Sequence, residues 1–157
     1  GPIVLAPFIG LKLPSGYDTD DDPALGTGDM DLKFSMLASK SLYPVPAYAG
    51  VEIGYRIRGG SFSNQIPYSF ELGASPHARV FAKASLSGTN TLLSNGGFTG
   101  AMDSMSMQVS EGDFTKWGVN VATQVTGPFW VDLFYESIFT GKNVGAGSSI
   151  GIGLSWQ

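Results

Sequence analysis

In the stretch AGVEIGYRIRGG, residues 49–60, Val51, Ile53, Tyr55 and Ile57 alternate one by one with Glu52, Gly54, Arg56 and Arg58. A period of two is the mark of a β-strand with two unlike faces, here one of hydrocarbon and one of ions. The pattern recurs along the chain. The first strand sets Ile3, Leu5, Ile9, Leu11 and Leu13 against Val4, Ala6, Gly10 and Lys12. A second, at about 31–42, sets Leu32, Phe34, Met36 and Ala38 against Lys33, Ser35 and Ser39, and the quoted stretch is the third. The fourth opposes Ile66, Tyr68, Phe70 and Leu72 to Ser69, Glu71 and Gly73; the fifth opposes Val80, Ala82, Ala84 and Leu86 to Arg79, Lys83 and Ser85. The last three carry Trp117, Val119, Val121 and Val125, then Phe129, Val131, Leu133, Tyr135 and Phe139, then Ile150, Ile152, Leu154 and Trp156 on their apolar faces. The strand lengths exceed the globular mode of about five or six residues and approach the ~9–11 that a tilted membrane strand requires.

The connections sort by size. Long ones follow the first strand (residues 14–30) and the fifth (about 88–113), whereas tight turns YPVP (43–46), SPH (75–77) and TGP (126–128) follow the even strands. Short turns at one end and longer loops at the other are the habit of bacterial outer-membrane barrels. The expected fold is therefore all-β, an antiparallel up-and-down transmembrane β-barrel in which residues 1–157 form a single domain with about eight strands.

Composition sharpens this picture. Charged residues are 14% of the chain against 43% apolar, where soluble domains average about 25% charged. Part of the surface is thus expected to face something other than water. No apolar run reaches the ~18 residues of a transmembrane helix. The opening GPIVLAPF lacks a signal-peptide pattern, so a mature form or a trimmed start is expected. Cysteine is absent, which removes disulfides and thiolate chemistry, and a net charge of −4 argues against nucleic acid.

Charge and aromatic placement bear on which face is enclosed. Lys12, Lys33, Arg56, Arg58, Arg79, Lys83 and Lys116 fall on the polar strand face together with Glu52, Glu71, Asp132 and Glu136. Phe34, Tyr55, Tyr68, Trp117 and Phe139 lie on the apolar face near the longer loops, and Phe129 and Trp156 at the opposite strand ends. Two aromatic bands with aliphatics between them match interfacial girdles. The ionic face is accordingly expected to line a lumen and the oily face to meet lipid. The reversed assignment is a soluble ligand-binding barrel.

The segment LKLPSGYDTDDDPALGTGDMDLKFSMLASKS, followed by AGVEIGYRIRG, resembles the outer-membrane β-barrel family of phenol-degradation (meta-pathway) transporters. Leu13 to Asp18, Leu25 to Gly28 and Gly54 to Arg56 carry the resemblance. In that family the Leu-Pro turn follows several earlier strands. The resemblance therefore implies the C-terminal part of a barrel of about twelve strands, and passive passage of small aromatic or apolar compounds.

Candidate chemistry is sparse. The one histidine, His77, falls in a tight turn with no nucleophile at hand, so no catalytic residue, enzyme activity or cofactor is expected. Asp18, Asp20, Asp22 and Asp29 take positions 1, 3, 5 and 12 of a calcium-loop spacing. Pro23 stands where that loop needs glycine, which makes a solvated acidic loop the plainer reading. In the second long loop Leu92, Leu93, Phe98, Met102, Met105 and Met107 are candidate ligand contacts at the barrel mouth; alternatively Met105 and Met107 extend the sixth strand. The lumen ions either line a pore or form a paired plug. Expected partners are membrane lipid, lipopolysaccharide and a small apolar solute, and the expected location is the bacterial outer membrane. A non-conducting surface barrel is the second functional class.

Overall fold

The computed structural model describes residues 1–14, 28–60, 62–92, 112–142 and 144–156. Every regular element among them is a strand: β1 (Ile3–Lys12), β2 (Asp31–Ser41), β3 (Ala47–Arg58), β4 (Gln65–His77), β5 (Val80–Thr91), β6 (Asp113–Thr126), β7 (Phe129–Lys142) and β8 (Ser148–Trp156). They form one antiparallel sheet in sequence order, each strand paired with its neighbours in the chain. This is an up-and-down meander. β1 and β8 are its two edges, with no ladder between them among the described residues.

Connections at one end of the sheet are short: residues 42–46 after β2, Ala78–Arg79 after β4, and Gly127–Pro128 after β6. Gly127 reaches φ 51°, the left-handed region where a side chain would be strained. The opposite end carries the connections after β1, β3, β5 and β7, spanning residues 13–30, 59–64, 92–112 and 143–147. Two expectations shift here. The segment Ser75–His77 continues β4 past an irregularity in its ladder with β5, so the turn is the pair that follows it. Arg79 thereby leaves the polar strand face and sits exposed in that turn.

Burial is inverted relative to a water-soluble domain, which hides its aliphatic and aromatic side chains. No large hydrophobic side chain is buried among the described residues, whereas Asp31, Ser35, Gln65 and Thr89 are. β3 shows the alternation residue by residue: Ile53 is 60% exposed and Val51 49%, while Glu52, Gly54, Arg56 and Arg58 are half-buried. The sheet curls around its polar face, so that Phe8 and Lys12 of β1 line the same concavity as Val144, which follows β7. β1 itself is exposed on both faces over nearly its whole length, as befits an edge with nothing beside it.

Pro67 marks a local break. A proline inside a central strand removes a ladder donor, and the β3–β4 ladder accordingly skips from Ile53↔Tyr68 to Arg56↔Gln65. Pro67 instead packs toward Gly54: a Cβ added to that glycine would lie 3.1 Å from Pro67 Cγ.

Candidate functional site

Because register is set by the pleat, residues of one face form rows that cross the sheet. At the end carrying the longer connections, Lys12, Asp31 and Arg58 stand side by side on β1, β2 and β3. The next row inward holds Gly10, Lys33, Arg56 and Gln65. A further step in, Phe8 faces Ser35 and Ser35 faces Gly54, while Pro67 faces Thr89 and Thr89 faces Phe114. Two rings thus flank four small residues. All of these residues except Ser35, Gly54 and Pro67 line a concavity of about 640 Å³.

The ions of this face are held along the wall. Lys33 Nζ contacts Glu52 Oε1 at 2.7 Å and Lys116 Nζ contacts Glu136 Oε2 at 2.9 Å. Lys83 and Glu71 approach to 3.7 Å, and Lys12 and Asp31 to 3.8 Å. Each pair joins neighbouring strands, so none of the four reaches across the concavity. Arg56 differs: its guanidinium Nη1 donates to the neutral Gln65 Oε1 at 3.3 Å, and it takes part in none of these ion pairs. Gln65 is buried and donates in turn to Thr91 Oγ1 at 3.4 Å. Asp132 accepts from Asn120 Nδ2 at 3.4 Å. Ten of the eleven expected lumen residues therefore share one face, the exception being Arg79.

Sequence reasoning overlooked the rings on this face. Phe8, Phe81, Phe114 and Phe134 line its recesses. The Tyr48 ring lies against Gly73, its register partner, and stacks with Phe81 at 6.4 Å between centroids. The Phe134 ring lies against its partner Gly151 in the same way. Glycine on this face is the slot that an opposing ring occupies. Strict parity would have found these rings: Phe8 shares its face with Gly10 and Lys12. Lys33 Nζ lies 5.5 Å from the centre of the Phe8 ring, within cation–π range.

All seven expected girdle residues stand on the opposite, exposed face. Phe129 and Trp156 are register partners with ring centres 5.8 Å apart, and Trp117 packs on Tyr135 at 5.3 Å. Phe34 and Tyr55 face each other across β2–β3, while Phe139 on β7 is 75% exposed. The tyrosine hydroxyls are satisfied, Tyr55 Oη by Asn64 Nδ2 at 3.0 Å and Tyr68 Oη by Thr115 Oγ1 at 2.6 Å.

Of the candidate loop contacts, Leu92 is exposed just past β5, and Leu93, Phe98, Met102, Met105 and Met107 lie outside the described residues. So do Asp18, Asp20 and Asp22. Asp29 packs against Gly60, whose φ of 64° suits only glycine. The described residues contain no group of three or more potential metal-ligating side chains. His77 ends β4, its Nδ1 accepting from Arg79 N at 3.2 Å, at the short-turn end away from the recess.

No protein-family model, curated protein or solved structure matches the chain. What the fold defines is an all-β, up-and-down antiparallel sheet with a sheltered ionic face and an exposed oily one.

Proposed function

We propose that this chain forms the wall of an outer-membrane β-barrel through which small apolar or aromatic compounds pass passively. The observation that carries the reading is the inverted burial: the large apolar side chains are exposed while acids, amides and hydroxyls are sheltered. In water such a surface is a severe liability; against lipid tails it is the favourable arrangement. The satisfied tyrosine hydroxyls and exposed rings near the strand ends suit an interfacial depth, where one end of the ring is wet.

Lipid also dictates closure. Every unpaired backbone group in hydrocarbon costs several kcal/mol, so the edges of β1 and β8 need partners. These two strands run antiparallel to each other in the meander. They close either directly or through an even number of further strands, and a twelve-stranded barrel adds four. The longer connections then face the outside of the cell and the short turns the periplasm. The four ion pairs described above each join neighbouring strands, which supports a lined passage over a plug.

Flux decides the matter. The protein reconstituted in liposomes is expected to speed the entry of benzyl alcohol and other small aromatics over empty vesicles. Insertion without added flux would favour a non-conducting surface barrel; monodispersity in plain buffer without detergent would favour a soluble barrel with its faces reversed.

A further inference from the structure

Six residues at the long-connection end make an arrangement that goes beyond a general polar lining: Phe8, Lys33, Arg56, Gln65, Phe114 and Val144 all line one concavity. In the row that joins the two phenylalanines, Ser35, Gly54 and Pro67 are closely packed and Thr89 lines the concavity with the rings. Gly54 admits no side chain, because a Cβ there would meet Phe34 O at 2.8 Å and Ser35 Oγ at 2.5 Å. Phe8, Phe114 and Val144 give the concavity apolar walls.

Beside that row stands Arg56. Four other cations of this face are each within 4 Å of a carboxylate, Lys12 at Asp31, Lys33 at Glu52, Lys83 at Glu71 and Lys116 at Glu136. The hydrogen bond that Arg56 makes is to an uncharged amide oxygen, at 3.3 Å from one terminal nitrogen. A guanidinium presents five donors in a planar fork that matches a carboxylate. One donor is used on Gln65, which is itself buried and tied to Thr91. Among the described residues the side chain is thus braced from one side, with its remaining donors turned to no carboxylate within ion-pair distance.

We propose that this recess is a binding site for small organic carboxylates, with the carboxylate on Arg56 and the apolar body against the rings of Phe8 and Phe114. Lys33, beside the site, is neutralised by Glu52 and leaves the positive charge to Arg56. The inference deepens the uptake reading by naming an anionic substrate class, and it rests on that reading only for its biological meaning. Binding to the folded protein does not require conduction.

The test is calorimetric titration of the full chain folded in detergent micelles, with benzoate and benzyl alcohol as matched probes. Arg56→Gln is expected to weaken benzoate binding by about tenfold, the loss of one charge-assisted contact, and to leave benzyl alcohol unchanged. Arg56→Lys, which keeps the charge without the fork, is expected to fall between. Thr89→Leu narrows the concavity that Thr89 lines and is expected to weaken both probes. Lys83→Gln, in a separate recess of the same face, is expected to change neither. Far-UV circular dichroism reports that each variant is folded, and unchanged benzyl alcohol binding does so as well for the variants at Arg56 and Lys83. Equal benzoate affinity in the parent and Arg56→Gln proteins overturns the site, as does a folded parent that takes up benzyl alcohol but no benzoate. Flux in liposomes separates the two levels: benzoate binding without flux of either probe removes the transport reading and leaves the site, whereas flux with equal benzoate affinity in the parent and Arg56→Gln proteins removes the site and leaves transport.

Discussion

Lys33 Nζ donates to Glu52 Oε1 at 2.7 Å, although the residue directly opposite Lys33 is Arg56 and the residue opposite Glu52 is Leu37. Like charges facing one another across a ladder repel. Glu52 relieves that repulsion by reaching along the wall, with both side chains about three-quarters sheltered.

Removing the acid should therefore expose the repulsion. Glu52→Gln is expected to lower stability by about 1–2 kcal/mol, between the values for exposed and buried pairs. The combined Lys33→Met and Glu52→Gln variant is expected to recover most of it. Urea titrations of the protein folded into vesicles measure both, and an unchanged midpoint for Glu52→Gln would show the pair to be idle.

Gly54 makes a steric prediction. Its added Cβ would lie 2.8 Å from Phe34 O, a backbone atom that cannot rotate away. Gly54→Ala is expected to destabilise by about 1–3 kcal/mol, as overpacking does. Gly145→Ala meets nothing within 4 Å and is expected to stay within about 0.5 kcal/mol. The same urea titrations compare them.

The three tryptophans divide between the faces. Trp117 and Trp156 are exposed on the apolar face at 39% and 76%, whereas Trp130 pairs with Gln124 and Ser155 on the ionic face. In single-tryptophan variants placed in bilayers, brominated lipid chains are expected to quench Trp117 and Trp156 strongly and Trp130 weakly. Equal quenching of all three would reverse nothing about the sheet but would remove the lipid-facing assignment.

Mid-strand charges should tell the faces apart as well. Leu133 is 52% exposed and lies opposite Val121 and Ile152. Leu133→Arg is expected to cost about 2–4 kcal/mol of folding into bilayers, the penalty for arginine near a bilayer midplane. Asn120→Arg, whose neighbour Asp132 can pair with it, is expected to cost under about 1 kcal/mol. Folding yields into vesicles at graded urea give both numbers.

Much of this architecture was readable from one property, the two-residue pleat. It placed β2 at about 31–42, against the observed Asp31–Ser41, and put Glu52, Arg56, Lys83 and Glu136 on one face. Ends were less legible, because β4 runs on through Ser75–His77 despite Pro76, and Arg79 falls into the turn as a result. A proline near a strand end looks like a stop when only the chain is read, but a ladder irregularity absorbs it.

Taken alone, the order of residues determined the alternating faces, the meander order and the sorting of connections, because all three depend on neighbours along the chain. Tertiary structure decided which side chains meet: that Tyr48 fills the slot left by Gly73, that Glu52 answers Lys33, and that Arg56 rests on a neutral amide. It also decided that the ionic face is the sheltered one. Those outcomes turn on register and curl between strands far apart in sequence, and the pleat of a single strand carries no information about either.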